Sequence, residues 1–434
     1  MAFRKSKGRY IAGRKSMSKQ QPIYTDFAPK QVYIHLLQQA SPLKRVVEVG
    51  DEIKLGQVVA LREGFGAMPI HASVSGKVTG VKKVWHSSGK MVEAIEIEND
   101  FKNTLDDACV EEKQISKLTR EQLVEKMKQG GLAGLGGAGF PTYVKYMSKS
   151  PIDAVIVNAV ECEPYLTCDY ALFSTDPAKL LRGLSYSLRA ADAKVGYIAY
   201  KHYNHEYEEL LKPLLKEYPQ IHLFPVDDVY PSGWEKYIVE HVLNKTYSRL
   251  PAEAGAIVDN LATVMFFADM VEKNLPLVSR AITITGEGIT APRNYLVPIG
   301  TKVSELVQLS GGYVEGLNPA ESLYIAGGPM TGRAILIDDL IVNDTLGAVI
   351  VKPLPETKPT TACLGCGRCS DVCPVFLSPT EVQRALELED YKALKDLNAD
   401  KCIACGLCSH VCPSRIEITD YAVRGKQALL KKGA

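Results

Sequence analysis

Along the chain the spacing of apolar positions changes several times, and each change predicts a different element. Between residues 31 and 100 apolar residues come in short runs punctuated by glycine. VEVGDEIKLGQVVA at 47–60 and IHASVSGKVTGV at 70–81 read as Val-rich strands of a small sandwich. In TREQLVEKMKQ, 119–129, Leu123, Val124 and Met127 share one face, and Thr119 stands three residues before Gln122, so the segment predicts a helix opened by a capping box. DAVIVNAV, 153–160, is an unbroken apolar run leading into Asn158 and reads as a strand of parallel type. Residues 281–314 predict two strands and then a helix ended by Gly311. VKPLPETKPTT, 351–361, reads as a stiff Pro-rich linker, and the Leu, Ala and Tyr spacing over 375–401 predicts a pair of amphipathic helices.

One stretch obeys neither period. GGLAGLGGAGFPTYVK, 130–145, has glycine at six of its first ten positions and then a proline where a helix opens. Glycine is used where the backbone takes positive φ or lies against another surface with no side chain between. Gly134, Gly136 and Gly139 fit GxGxxG, but that dinucleotide fingerprint requires a preceding strand, and here a helix precedes. The order helix, glycine loop, helix, strand disfavours a standard Rossmann turn. Exposed backbone N–H groups at a helix start still suit a phosphate or a flat ring. Beyond the strand, NAVECEPYLTCD at 158–169 places Glu161 and Glu163 where open α/β sheets put ligands.

Eight of the eleven cysteines fall in two matching runs, CLGCGRCSDVCP at 363–374 and CIACGLCSHVCP at 402–413. Each is CxxCxxCxxxCP, the spacing that holds 4Fe-4S clusters in bacterial ferredoxins, with the fourth cysteine serving the other cluster. Cys363, Cys366, Cys369 and Cys412 are therefore expected to hold one cluster, and Cys402, Cys405, Cys408 and Cys373 the other. Structural zinc does not call for the third regularly spaced cysteine or the CP. A disulfide framework needs an oxidising compartment. Cys109, Cys162 and Cys168 are expected to be small buried residues.

Net charge is +1, which gives the chain no bias toward nucleic acid or a membrane surface. The first twenty residues depart from this, with seven Lys or Arg and no acid; they are expected to form a solvated, disordered tail. No apolar core of a signal peptide follows, and no window approaches the ~18 apolar residues of a membrane span, so an intracellular protein with a basic arm is expected.

GLGGAGFPTYVK followed by VNAVECEP resembles the flavin-binding subunit of respiratory complex I, and from about residue 30 onward the order of segments is similar to that of the RnfC family, a component of the Rnf ferredoxin:NAD oxidoreductase complex. The resemblance implies a multidomain α/β fold. Its parts are a basic arm (1–30), a barrel-sandwich-hybrid-like domain (31–103), an α/β domain binding FMN and NADH (115–278), a β-grasp, SLBB-like module (279–345), a Pro-rich linker (346–360) and a helical two-cluster ferredoxin domain (361–434). It carries Gly134, Gly136, Gly137, Gly139 and Lys145 over to FMN, Lys145 as a point charge for the phosphate. Asn158 and Glu161 match the polar positions after the strand, and Glu163 and Phe140 match positions facing the nicotinamide nucleotide. YPSGWEKY contributes Tyr230, Gly233 and Glu235, and VDNLAT contributes Asn260 and Thr263. Leu135, Val160 and Trp234 depart from the complex I pattern, which has arginine, aspartate and glutamate there. The N-terminal sandwich resembles biotinyl and lipoyl carriers but its turn EGFGAMP, 63–69, has no lysine to modify, so a structural or docking role is expected.

NADH delivers two electrons as hydride whereas clusters accept one at a time, and a flavin connects the two chemistries. The function implied is that of a peripheral component on the cytoplasmic side of the cell membrane. It would exchange hydride between NAD(H) and FMN and relay electrons through two 4Fe-4S clusters to the integral membrane and iron-sulfur subunits of an Rnf-type complex, with ferredoxin an indirect partner, and so drive ion transport there. Two alternatives are a soluble flavin reductase such as a cobalamin reductase, against which the N-terminal sandwich argues, and a non-catalytic iron-sulfur wire. No nucleic-acid role is implied.

Overall fold

The computed structural model describes residues 5–39, 41–356 and 358–432. The N-terminal domain is built on a long hairpin, β3 (Gly76–Trp85) and β4 (Met91–Asn99), flanked by β1 (Gln31–His35) and β2 (Glu52–Ile53) in the order β1-β4-β3-β2. A second, three-stranded sheet (44–45, 58–61, 70–71) closes over it. Alternate positions Val32, Ile34, Val59, Val78, Ile95 and Ile97 fill the space between.

Next comes α1 (Arg120–Gln129). Thr119 Oγ1 accepts the Gln122 N–H and Gln122 returns the contact, so the expected capping box is present. The glycine loop leads into α2 (Thr142–Tyr146), then β5 (Ala154–Asn158), α3 (Cys168–Thr175), α4 (Pro177–Ala191), β6 (Val195–Lys201), β7 (Ile221–Val226), α5 (Glu235–Val242), β8 (Ala256–Asn260) and α6 (Leu261–Lys273). The strands form one parallel sheet in the order β7-β6-β5-β8, with Asn158 level with Asn260. Helix α6 is apolar nearly all round because it is buried, wedged between the sheet and α4.

The third unit has β9 (Ser279–Thr285), β10 (Arg293–Pro298), α7 (Val303–Leu309), β11 (Ser322–Ala326), β12 (Arg333–Ile335) and β13 (Ala348–Pro353), with sheet order β10-β9-β13-β11-β12. Gly311 follows α7 at φ +76°, as the sequence predicts. Residues 348–353, expected to belong to the linker, instead form the central strand of this sheet. The apolar run Ala348–Val351 is fully buried between β9 and β11, and burial outweighs the adjacent prolines.

The C-terminal unit has α8 (Arg368–Val372), the expected pair α9 (Pro379–Glu387) and α10 (Tyr391–Asp396), then α11 (Leu407–His410) and α12 (Ile418–Lys432). The basic arm corrects the expectation of a solvated tail. Arg9 and Tyr230 exchange backbone hydrogen bonds, Tyr165 N–H donates to Gly13 O, Ser6 bonds Glu240, and Ser18 Oγ lies 2.7 Å from Thr167 Oγ1. The lysines are held because the arm crosses acidic and carbonyl-rich surface: Lys19 pairs with Glu206 and Lys7 donates to Asp371 O.

Candidate functional site

In the parallel sheet β5 has β6 on one side and β8 on the other, so the direction of strand order reverses between β5 and β8. Open α/β sheets bind ligands outside the carboxyl ends of the strands at such a reversal, because the following loops diverge there and leave a crevice. A cleft of about 590 Å³ occupies this position. Asn158 and Asn260, the last residues of β5 and β8, both line it. Asn158 Nδ2 donates to Gly233 O at 2.8 Å, and Asn260 Nδ2 donates to Asp169 Oδ2 at 2.5 Å while its Oδ1 caps α6 at Thr263 N.

The glycine loop forms one wall. It is closed on itself by Gly134 N–H to Phe140 O at 2.8 Å and Thr142 N–H to Leu132 O at 3.0 Å, which leaves residues 135–138 facing the cleft. Gly137 has φ +101° and, among the described residues, nothing within 4 Å of where a Cβ would stand, so its bare backbone is presented to whatever fills the space. Gly136 and Gly233 line the same cleft.

Three acids converge on the cleft. Glu161 is buried beside Lys15, which the arm inserts from outside; Nζ lies 3.4 Å from Glu161 Oε2 and also donates to Leu166 O. Asp169 N–H donates to Glu161 Oε1 at 2.9 Å. Burial pushes the Glu161 carboxyl up to about 7, with Lys15 pulling it down and Asp169 pushing it further up. Asp169 is raised by its own burial, offset in part by Arg280. Because folded Glu161 keeps a proton that the unfolded chain has released, this group's contribution to stability falls as pH rises from the ordinary carboxylate range to about 7. Lys15→Met is expected to move the Glu161 titration to still higher pH. The check is the infrared band of the protonated carboxyl, which should persist to higher pH in the variant and be missing in Glu161→Gln.

Glu163 is held by the turn between β11 and β12. Its Oε2 accepts Met330 N–H at 3.1 Å and its Oε1 accepts Thr331 Oγ1 at 2.5 Å. A Cβ on Gly328 would stand 2.3 Å from this carboxyl, so a side chain there would push Glu163 out of its place. Burial raises the Glu163 carboxyl, and these hydrogen bonds pull it back.

Several residues crucial to the cleft are ones the sequence reading missed. Arg280, on β9, is 2% exposed and lines the cleft; Nη2 donates to Leu135 O at 2.8 Å, while Nε and Nη1 have no partner among the described residues. Leu135 departs from the arginine of the complex I loop, and here a guanidinium reaches the same loop from another strand. The signal was a charged residue inside the apolar strand SRAITIT. Asp169, Lys15, His86 and Thr345 gave no local signal. Cys162 and Cys168 also line the cleft; burial pushes both thiols up, Cys162 to about 11.

Other expected residues lie behind the wall. Lys145, expected at the FMN phosphate, is not among the residues that line the cleft. It donates to Glu235 Oε1 at 2.9 Å and Val258 O at 2.5 Å and lies 3.3 Å from Asp259, whose buried carboxylate must be neutralised. Burial works against its charge, but Asp259 and Glu235 more than offset this and hold it above the ordinary lysine value. Glu235 is thereby engaged with Lys145. Thr263 is buried and its Oγ1 accepts Leu135 N–H at 2.9 Å, so it braces the loop. Gly134 closes the loop and Gly139 packs against Thr345. Phe140, expected to face the nucleotide, is 39% exposed and lies outside the cleft wall, since the loop turns residue 140 outward as it closes. Tyr230 also lies outside it. The Tyr230 side chain is buried, and its hydroxyl donates to Cys405 O at 2.9 Å. With Val372 and Leu407 it forms an apolar seam, flanked by Cys162 and Met330, between the cleft and the C-terminal unit. Trp234 packs partly buried against the core beside the sheet.

The eight cysteines of the two runs form two nests. Cys373 joins Cys402, Cys405 and Cys408 around one hollow, and Cys412 joins Cys363, Cys366 and Cys369 around the other, so each run lends its fourth cysteine across. Glycines at positive φ, Gly365 and Gly367 in one run and Gly406 in the other, bend the backbone round. Four thiols at one hollow suit a 4Fe-4S cluster. The cleft suits a flavin nucleotide: its volume is in the range of cofactor sites, bare backbone lines one wall, and the buried guanidinium of Arg280 has two nitrogens without a partner among the described residues.

Comparison with known proteins agrees with this arrangement. Residues 3–102 match the RnfC barrel sandwich hybrid domain, 127–268 the Nuo51 FMN-binding domain, 281–334 the SLBB domain and 357–413 the 4Fe-4S dicluster domain. The cofactors are accordingly FMN and two 4Fe-4S clusters. The RnfC-type component of the Na(+)-translocating ferredoxin:NAD(+) oxidoreductase complex of Acetobacterium woodii is 30% identical over 376 residues, 85% of this chain and 84% of its own. Its counterpart in the proton-translocating complex of Clostridium ljungdahlii is 30% identical over 390 residues, 88% and 84%. A chain of an NAD+-reducing [NiFe]-hydrogenase in the H2-reduced state aligns with TM-score 0.47 at 17% identity, covering 72% of this chain and 61% of that one. From the two long alignments and the match of the N-terminal domain, the chain belongs to the RnfC family of the ion-translocating ferredoxin:NAD oxidoreductase complexes.

Proposed function

We propose that this chain is the peripheral electron-transfer subunit of a membrane-bound, Rnf-type ferredoxin:NAD oxidoreductase. It exchanges hydride with NAD(H) at the cleft, relays single electrons through its two clusters to integral membrane and iron-sulfur partner subunits on the cytoplasmic side, and so serves ion transport in those partners. Ferredoxin is reached through them, and electrons run toward NAD⁺ when ferredoxin is the donor. Among the described residues no helix is long and apolar enough to cross a membrane, which agrees with a peripheral place. The observation that carries the reading is the adjacency of the cleft to the cysteine nest across Tyr230.

FMN bound in the cleft would supply the interchange between hydride and single-electron chemistry. The chain's own residues do the rest. Gly136 and Gly137 let a flat ring approach the main chain. Arg280 offers unpaired donors to an acceptor and offsets Asp169. Glu163, fixed by Met330 and Thr331, lines the cleft, and Glu161 lines it with Lys15 as its buried partner. Tyr230 holds the Cys405 loop against the flavin domain.

The test is anaerobic addition of NADH to the purified chain carrying FMN, iron and sulfide. Bleaching of flavin absorbance followed by that of the clusters is expected. A chain that retains FMN and iron but stays oxidised under excess NADH would refute the reading.

A further inference from the structure

The main cleft has a side lobe. A second cavity of about 330 Å³ lies between the glycine loop, the strand segment 37–39 and the tip of the β3–β4 hairpin, and it shares His86, Ser88, Ala138 and Thr345 with the main cleft. The N-terminal domain, for which sequence suggested only a structural or docking role, thus supplies part of the site's wall.

The hairpin tip is held in place. His86 N–H donates to Lys90 O at 3.0 Å and Gly89 N–H to His86 O at 2.9 Å, closing the turn. Ser87 Oγ accepts Asn343 Nδ2 at 2.8 Å, tying the tip to the β-grasp unit. Arg333 lies across the turn, its Cδ 2.9 Å from where a Gly89 Cβ would be, so this glycine admits the arginine stem. Burial pushes His86 down to about 4, which leaves it neutral at physiological pH.

The lining is chemically divided. Leu37, Met91 and Val92 give an apolar floor, and Met91 is 46% exposed. Lys90 stands at the edge of the lobe and Arg333 at the adjoining rim of the main cleft, neither in an ion pair among the described residues. Asp344 also lines the lobe, with its carboxylate 3.9 Å from His35 Nε2. A flat apolar group carrying phosphate matches this division: the ring lies on the floor and the phosphate meets the cations.

We propose that the side lobe binds the adenosine monophosphate half of the nicotinamide dinucleotide, with Met91 under the purine and Lys90 and Arg333 on the phosphate of that half. The N-terminal domain then sets affinity for the dinucleotide without touching the redox centre. The inference rests on the reading that NAD(H) is the hydride partner.

Nicotinamide mononucleotide, reduced (NMNH), lacks the adenosine monophosphate half and is the probe that separates the two. The full chain carrying FMN and clusters is assayed with NADH and with NMNH, using ferricyanide as acceptor. Lys90→Ala combined with Met91→Ala is expected to raise KM for NADH about tenfold with kcat unchanged, leave both NMNH constants as they were and leave FMN content intact. Arg333→Ala should act in the same direction. Both sets of side chains stand at the surface of the fold, and melting temperature checks that it is kept. The proposal is overturned if the NADH constants do not change, if NMNH suffers as much as NADH, or if the variants shed FMN, which would place the flavin in the lobe. A wild-type chain that oxidises neither compound removes the functional reading and this inference together.

Discussion

Cys373→Ala is expected to lower bound iron from about eight to about four atoms per chain, and the cluster lost is the one built on the second run, thirty-odd residues downstream. The reason is the crossing of ligands: Cys373 lines the hollow of Cys402, Cys405 and Cys408, not that of its own neighbours. Double variants make the expectation sharp. Cys373→Ala with Cys405→Ala should stay near four irons, because both remove the same cluster. Cys373→Ala with Cys363→Ala should approach zero. Iron and acid-labile sulfide analysis reads the counts, and if the first pair loses everything while the second keeps half, each run binds its own cluster and the crossing is wrong. The Cys373 nest is the one that touches Tyr230, so its loss should also stop the second cluster from being reduced by NADH.

Arg280→Met should weaken FMN binding ten- to a hundredfold, which corresponds to the roughly 1.5–3 kcal/mol of a hydrogen bond to a charged group. The guanidinium is fully buried, two of its nitrogens have no acceptor among the described residues, and it offsets the raised Asp169 beside it. Methionine fills similar volume without donors. Arg280→Lys keeps the charge but not the planar fork, and should recover only part of the affinity. Flavin fluorescence quenching gives the dissociation constant. Affinity within twofold of wild type in Arg280→Met, in a protein with unchanged melting temperature, would mean that the guanidinium serves only Leu135 O and Asp169.

The contrast between Arg280 and the cysteines shows what each kind of residue reveals. Cysteine ligands are recognisable because cluster geometry demands a short spacing along the chain, so the chemistry is written within a dozen residues. Arg280 meets Leu135 from 145 positions away, and nothing in its neighbours announces the meeting. Lys145 shows how much of a charge's setting lies elsewhere in the chain. Its place after the glycine loop suggested a phosphate ligand, yet Asp259 and Glu235, distant in sequence, claim its ammonium. The basic arm misled for the same reason: a charge run reads as solvated until the acids and carbonyls that receive it are brought near.

By itself the sequence determined the elements and the cofactor chemistry: the capped helix before the glycine loop, the strand after it, the β-grasp order and the eight thiols. All of these rest on interactions between residues close along the chain, whose periods and spacings survive as text. The tertiary structure decided where the crevice opens, through the reversal of strand order at β5 and β8. It also decided that an N-terminal hairpin, a buried arginine and a β-grasp turn should share its walls, and that an N-terminal lysine should pair with Glu161. Those placements follow from packing apolar faces between segments hundreds of residues apart, a global optimum that no local pattern encodes.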